Sequence, residues 1–269
     1  MVHYWEIMKH IERLEKGDIV YVNSDILELM KVTRMNGERF DINKFIDSMI
    51  EVVGEEGTIL IPTFNWDFCK GQTFDYWKTP SKTGALGNAA LKRKDFCRTK
   101  HPMYSFAVWG KDKERLYAMD NRNAFGEDTI FDYLVQQHAK SLVIGLPSMK
   151  ANTVLHHVEK VVGVPFRYDK EFTADYIDRE GTKREATYVH YVRDLDMDAR
   201  EATAPMNHIL EVMNISNTQM INGIPFRTVL LDEMFQVIAM DIKYNDCRNI
   251  YRYKGQREIK KVTERYNWE

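Results

Sequence analysis

Near its start the chain alternates short apolar runs with amphipathic stretches. Met8, Ile11 and Leu14 recur at spacing three, which predicts a short helix ending before Gly17. Asp18-Ile19-Val20-Tyr21-Val22-Asn23 is β-branched and aromatic, and predicts a strand that runs into a polar loop. Asp41 can cap a helix whose apolar positions Phe45, Ile46, Met49, Ile50 and Val53 share one face. Gly54 and Gly57 frame its exit into a strand at Thr58-Ile59-Leu60-Ile61-Pro62. Strand, helix, strand in this order predicts a parallel crossover.

From Thr63 to Pro102 the regular pattern fails, and Phe64, Trp66, Phe68, Phe74, Tyr76 and Trp77 stand among polar residues. A long loop rich in aromatics argues for function rather than disorder. Regular alternation resumes with strands at Ser105 to Gly110 and Ser141 to Gly145, and with helices at Lys111 to Met119 and Asp128 to Gln137. Phe172 to Tyr176 and Thr187 to Val192 flank a turn at Glu180-Gly181 and predict a hairpin. A helix at Asn207 to Met213, strands at Gln219 to Ile221 and Phe226 to Leu231, and a helix at Asp232 to Tyr244 complete the pattern. With no internal repeat or flexible linker, one α/β domain spans 1–269, ending in a basic tail at about 252–269. Its sheet is expected to be mixed, because a hairpin does not belong in a purely parallel one.

Composition narrows the function. The chain has 269 residues, 44% hydrophobic and 29% charged, enough for a core without a metal or disulfide. Lys and Arg number 38 against 40 Asp and Glu, so nothing suggests capture of nucleic acid. The basic tail, interrupted by acid and aromatics, reads as a solvated helix. Three cysteines, Cys69, Cys97 and Cys247, lie far apart, which argues against a disulfide framework and for a reducing cytoplasm. The N-terminus resembles neither a signal peptide nor an anchor, and no later segment has the apolar length a bilayer requires.

The segment Gly145-Leu146-Pro147-Ser148-Met149-Lys150-Ala151-Asn152-Thr153-Val154-Leu155-His156-His157-Val158-Glu159-Lys160 concentrates candidate chemistry. Asn152 or Thr153 can cap a helix that carries His156 in its first turn or so, with Thr153 and Glu159 three residues to either side on the same face. The helix N-terminus disfavours the imidazolium while the carboxylate favours it, an opposition suited to a general base. A histidine pair packed beneath the sheet is the competing reading. A zinc site is weaker, because adjacent histidines on a helix point about 100° apart. His101, beside Pro102, reads as a loop residue bonded to backbone. Cys97 beside Arg98 is either a thiolate nucleophile or a buried, inert thiol.

Taken in order, several segments resemble the antibiotic N-acetyltransferase family, typified by aminoglycoside 3-N-acetyltransferases. Asn23-Ser24-Asp25 is similar to its strand-end His-Ser-Ser segment, and Gly57 to Phe64 to its Gly-Thr strand ending in Pro-Thr. Thr79 to Leu86 matches a Thr-Pro-Ser stretch leading to Gly-Ala-Leu, and Arg98 to Ser105 an Arg-Ser-x-His-Pro segment followed by serine. Asn152-Thr153-Val154-Leu155-His156-His157-Val158-Glu159 matches Asn-Thr-x-x-His-x-x-Glu, the most specific of these. The resemblance spans roughly residues 14 to 245.

The resemblance implies a three-layer α/β/α sandwich with a mixed central sheet. It further implies transfer of an acetyl or other acyl group from acyl-CoA, as co-substrate and without a metal, to the amine of an aminoglycoside or an amino sugar, nucleotide-linked or free. His156 would be the general base and Glu159 its orienting partner. Thr153, or the backbone amides near Ser24 and Asp25, would face the carbonyl oxygen. Coenzyme A would cross the strand-end loops near Ser24, Asp25, Thr63, Arg98 and Ser105. The expected partner is a small-molecule amine, with neither nucleic acid nor membrane, and a homo-oligomer is left open.

The chain departs from the family pattern where Gly87-Asn88 replaces Pro-Glu, so Asn88 would meet the catalytic histidine with a carboxamide. Asn23 and Asp25 alter the other wall. Either the acceptor is not an aminoglycoside, or Asp25 supplies the missing carboxylate, or activity is reduced, the extreme being a non-catalytic sugar- or nucleotide-binding protein. The aromatic loop offers rings for stacking on a sugar or nucleobase.

Overall fold

A computed structural model describes residues 1–256; the basic tail beyond Gln256 lies outside the described residues. In chain order the first elements are β1 (Ile19–Ser24), α1 (Leu27–Met35), α2 (Ile42–Val53), β2 (Thr58–Pro62), β3 (Phe74–Asp75), α3 (Ala85–Ala90), β4 (Cys97–Arg98), β5 (Phe106–Gly110), α4 (Lys113–Ala118), α5 (Ile130–Gln136) and β6 (Lys140–Ile144). There follow α6 (Ser148–Ala151), α7 (Val154–Val162), β7 (Arg167–Ile177), β8 (Lys183–Arg193), β9 (Arg200–Glu201), α8 (Ala204–Val212), β10 (Ser216–Ile221), β11 (Ile224–Leu230), α9 (Leu231–Asn245) and β12 (Tyr251–Arg252).

The central sheet has seven strands in the order β10-β11-β6-β1-β2-β5-β4. β1 runs parallel to both β2 and β6, whereas β5 and β11 are antiparallel to β2 and β6. The sheet is therefore mixed, but not because of the hairpin expected at Phe172 to Val192. That hairpin, β7 with β8, is longer than its apolar pattern suggested and pairs with β3 in a separate three-stranded sheet.

Alternation along the strands divides the interior in two. Val20, Val22, Ile59, Ile61, Leu142 and Ile144 pack with Phe45, Ile46 and Met49 of α2 and Leu86 of α3. Tyr21, Leu60, Phe106 and Val108 pack on the other face with α5, α7, α9 and the hairpin. These are the three layers, each helix burying one apolar stripe. Asp41 caps α2 as expected, its carboxylate accepting from the amides of Asn43 at 2.9 Å and Lys44 at 3.3 Å. Around Met8, one turn of 3-10 helix at Ile7–His10 replaces the expected amphipathic helix.

The pattern missed α1 and α3. In α1 only Leu29 and Thr33 are buried while Leu27 and Met30 are exposed, so no apolar face repeats. α3 is a short run of small residues. The aromatic loop is mostly interior: Phe64, Phe68, Phe74 and Tyr76 are buried, with Phe68 packed against Tyr188 and Phe74 against Tyr176 of the hairpin. Burial of those rings, rather than ligand stacking, orders the segment.

Candidate active site

The loop after β1 leads to α1 on one face of the sheet, whereas the loop after β6 leads to α7 on the other. The connections that leave the carboxyl ends of the paired strands β1 and β6 therefore diverge, a place where open α/β sheets leave a crevice. Gly145 permits the arrangement. Its φ of +70° lies in the left-handed region that favours glycine, and a Cβ there would lie 2.5 Å from the carbonyl oxygen of Asp25. A cavity of about 290 Å³ opens at this point. Asn23 and Ser24 from β1, Pro62 from β2, Phe64, Trp66 and Tyr104 from the aromatic side, and Lys150, Thr153 and His156 from the β6 side line it.

His156 stands in the first turn of α7, its Nδ1 2.9 Å from Glu159 Oε2. Glu159 is fully buried, and Arg167 Nε, at the start of β7, lies 2.7 Å from the same oxygen. Burial alone would raise the Glu159 pKa, but the charges of His156 and Arg167 outweigh it and hold the carboxyl below its ordinary value. Nδ1 is thus committed to an anion, and Nε2 is the nitrogen left for a ligand in the cavity that the ring lines. The Phe125 ring meets the imidazole edge-on, centroids 5.9 Å apart. His157 points elsewhere: it is buried, its Nδ1 accepts from the Gly126 amide at 3.3 Å, and burial lowers its pKa to about 4. The two histidines share no ligand position, and among the described residues no group of three or more His, Cys, Asp or Glu side chains could hold a metal.

Of the other residues named from sequence, Ser24 and Thr153 line the cavity. Thr153 precedes α7 but makes no side-chain cap; its hydroxyl lies near the buried Tyr21 phenol. Asp25 turns back to its own helix, where Oδ1 accepts from the Leu27 amide at 3.0 Å. The Asp25 amide is also taken, donating to the Ile144 carbonyl at 2.9 Å, so it is not free to face a reacting carbonyl. Asn88 stays outside the cavity: Oδ1 accepts from the Ser81 amide, and Nδ2 donates to the Ser81 and Gly84 carbonyls. Gly87 before it lines the cavity, where a Cβ would collide with the Pro62 carbonyl oxygen.

Arg98, Thr63 and Ser105 form a buried strut rather than a cofactor site. The guanidinium donates to Ser105 Oγ at 3.0 Å and to the carbonyls of Thr79 at 2.6 Å, Tyr76 at 3.2 Å and Thr63 at 3.3 Å. Thr63 and Ser105 join through their hydroxyls at 2.9 Å. His101 is bonded to backbone, as read from sequence: Nδ1 accepts from the Met103 and Tyr104 amides, and burial lowers its pKa to about 3. Cys97 is buried, and burial pushes its thiol up to about 11, the opposite of an activated nucleophile.

Sequence reasoning missed Arg167, Tyr104 and His190. Tyr104 Oη lies 3.4 Å from His190 Nδ1, and burial, then the charges of His156 and Arg167, lower the His190 pKa to about 4. Arg167 and His190 come from the hairpin, which reaches the site only through the fold. Tyr104 could have been noticed two residues after Pro102.

Comparison with known proteins agrees with this architecture. The family model for aminoglycoside 3-N-acetyltransferase matches residues 22–241. The chain belongs to that family. It is accordingly an N-acetyltransferase by family. Among solved structures, AAC-VIa bound to sisomicin superposes with a TM-score of 0.74 at 18% identity, covering 91% of this chain and 98% of that one. AAC-IIIb in binary complex with CoASH gives 0.72 at 17%, covering 90% and 97%. The YokD protein from Bacillus subtilis gives 0.71 at 19%, covering 91% and 100%.

Proposed function

We propose that the protein transfers an acetyl group from acetyl-CoA to the amine of an amino sugar or aminoglycoside, with His156 as general base. The observation that carries this reading is the chain Arg167, Glu159, His156, which fixes Nδ1 on a buried anion and leaves Nε2 for the cavity. His156 Nε2 takes a proton from the acceptor ammonium, and the freed amine attacks the thioester carbonyl. The C–N bond forms and the C–S bond breaks. The departing thiolate takes the proton held by His156 to leave as free coenzyme A. The nitrogen, left with one excess proton by its attack, gives that proton to the now neutral His156 Nε2, from which it passes to solvent. Glu159 offsets the charge the imidazole gains. The Thr153 hydroxyl and the Ser24 region are the remaining candidates to face the carbonyl oxygen.

A bound CoASH in the AAC-IIIb complex and sisomicin in the AAC-VIa complex support the donor and acceptor classes. Acetyl-CoA as donor suits the reducing cytoplasm favoured by three unpaired cysteines. The non-catalytic alternative drew on Asn23 and Asn88; the Asn88 carboxamide is spent within its own loop and that of Asn23 donates to Ser141 Oγ at 3.1 Å, while the His156 and Glu159 pair is complete.

His156→Gln is expected to lower kcat for thiol release by about 10²- to 10⁴-fold. Coenzyme A binding by calorimetry and the melting midpoint should stay near wild type. Turnover within tenfold of wild type would refute His156 as the base.

A further inference from the structure

The cavity has an unusual charge inventory for a site that would receive a polycation. Lys150 is the one lining side chain with a permanent charge, and no carboxylate lines the cavity among the described residues. The carboxylates close by in the chain are engaged elsewhere. Asp25 holds the Leu27 amide, Asp67 pairs with Lys82 at 2.5 Å and Lys70 at 3.3 Å, and Glu159 is sealed beneath His156 with Arg167. Lys150 is exposed and forms no ion pair with another described residue, so its ammonium remains available to a ligand. The other polar lining groups, Asn23, Ser24, Thr83 and Thr153, are neutral.

An acceptor with several ammonium groups would meet a cation here and no anion, whereas one with a phosphate would find a charge-assisted partner. Resting on the acetyl-transfer reading above, we propose that the acceptor is an amine carrying an anionic group, as in a phosphorylated or nucleotide-linked amino sugar, and that Lys150 binds that group.

Glucosamine 6-phosphate, glucosamine and sisomicin serve as probes with the full-length protein. Their binding is read by calorimetry in the presence of coenzyme A, and their turnover by thiol release from acetyl-CoA. The phosphorylated amine should bind at least tenfold more tightly than either of the others. Lys150→Gln should raise its KM at least tenfold and collapse its advantage over glucosamine. Equal binding of the three, or a preference for sisomicin, overturns the proposal. So does a Lys150→Gln defect confined to the KM for acetyl-CoA, since the lysine would then serve the donor's phosphates. Tight binding of the phosphorylated amine without turnover retains the charge preference and removes the transferase reading instead.

Discussion

Removing the guanidinium of Arg167 should expose how the site is held. Arg167 and Glu159 are 6% and 0% exposed and 2.7 Å apart, so Arg167→Met leaves a buried carboxylate without its cation. At an effective dielectric near 20 the lost attraction is about 6 kcal/mol. The carboxyl escapes part of that loss by taking up a proton. At pH 7 this costs about 1.4 kcal/mol for each unit between ambient pH and the ordinary glutamate pKa of about 4.3, or about 3.7 kcal/mol. The expected destabilisation at pH 7 is therefore about 3 to 4 kcal/mol, within the range for breaking one side of a buried pair.

The sign of the pH dependence follows. In the wild type the Glu159 pKa is lowered, so its contribution is complete above the unfolded pKa and is lost as pH falls through the folded one. In Arg167→Met one of the two charges that outweigh burial is gone, so the carboxyl moves up from its wild-type value, with His156 as its remaining counter-charge. The variant then gains relative to wild type on acidification, by at most about 2.7 kcal/mol from pH 7 to pH 5, the limit reached if the carboxyl is protonated throughout that window. Urea unfolding at both pH values measures this, alongside acetyl transfer, which should fall as Glu159 loses its charge. A variant within about 1 kcal/mol of wild type at pH 7, or a deficit that does not shrink at pH 5, would refute the ion pair as the device that keeps Glu159 charged.

Two further outcomes concern the thiols and the crevice. Iodoacetamide at pH 7.5 should leave acetyl transfer unchanged and label Cys97 only after unfolding, since burial pushes that thiol to about 11; rapid labelling of native Cys97 would revive the reading of it as a thiolate nucleophile. Gly145→Ala should cost about 2 to 4 kcal/mol, because the left-handed backbone strain is joined by overlap with the Asp25 carbonyl, whereas Gly181→Ala, with φ of +84° and nothing within 4 Å, should cost only about 1 kcal/mol; equal melting midpoints for the two variants would remove the close approach as a cause.

What could be read in the sequence was whatever local spacing determines. The α2 cap, the buried strands β1, β2, β5 and β6, and the i, i+3 meeting of His156 with Glu159 all follow from periodicity over a few residues. The family resemblance, rather than spacing, singled out His156 over His101 and Cys97 as the candidate base. The failures at the site share one cause, which is chain separation. Arg167 reaches Glu159 from a strand that folds back beside α7, at a spacing that no helical or strand period relates to it. The resemblance put Arg98 near coenzyme A, yet its partners are the Ser105 hydroxyl and three backbone carbonyls more than fifteen residues away, and burial lowers its pKa to about 10 without discharging it near neutrality. A buried guanidinium that satisfies carbonyls and a free one that binds phosphate are identical in sequence; only the count of acceptors around each separates them. Lys150 inverts the case: one lysine among others in sequence, it stands out because no carboxylate of the described residues lines the cavity beside it. On that proposal, substrate charge is set by which acids the loops have already consumed, a property of the closed hydrogen-bond network rather than of any motif.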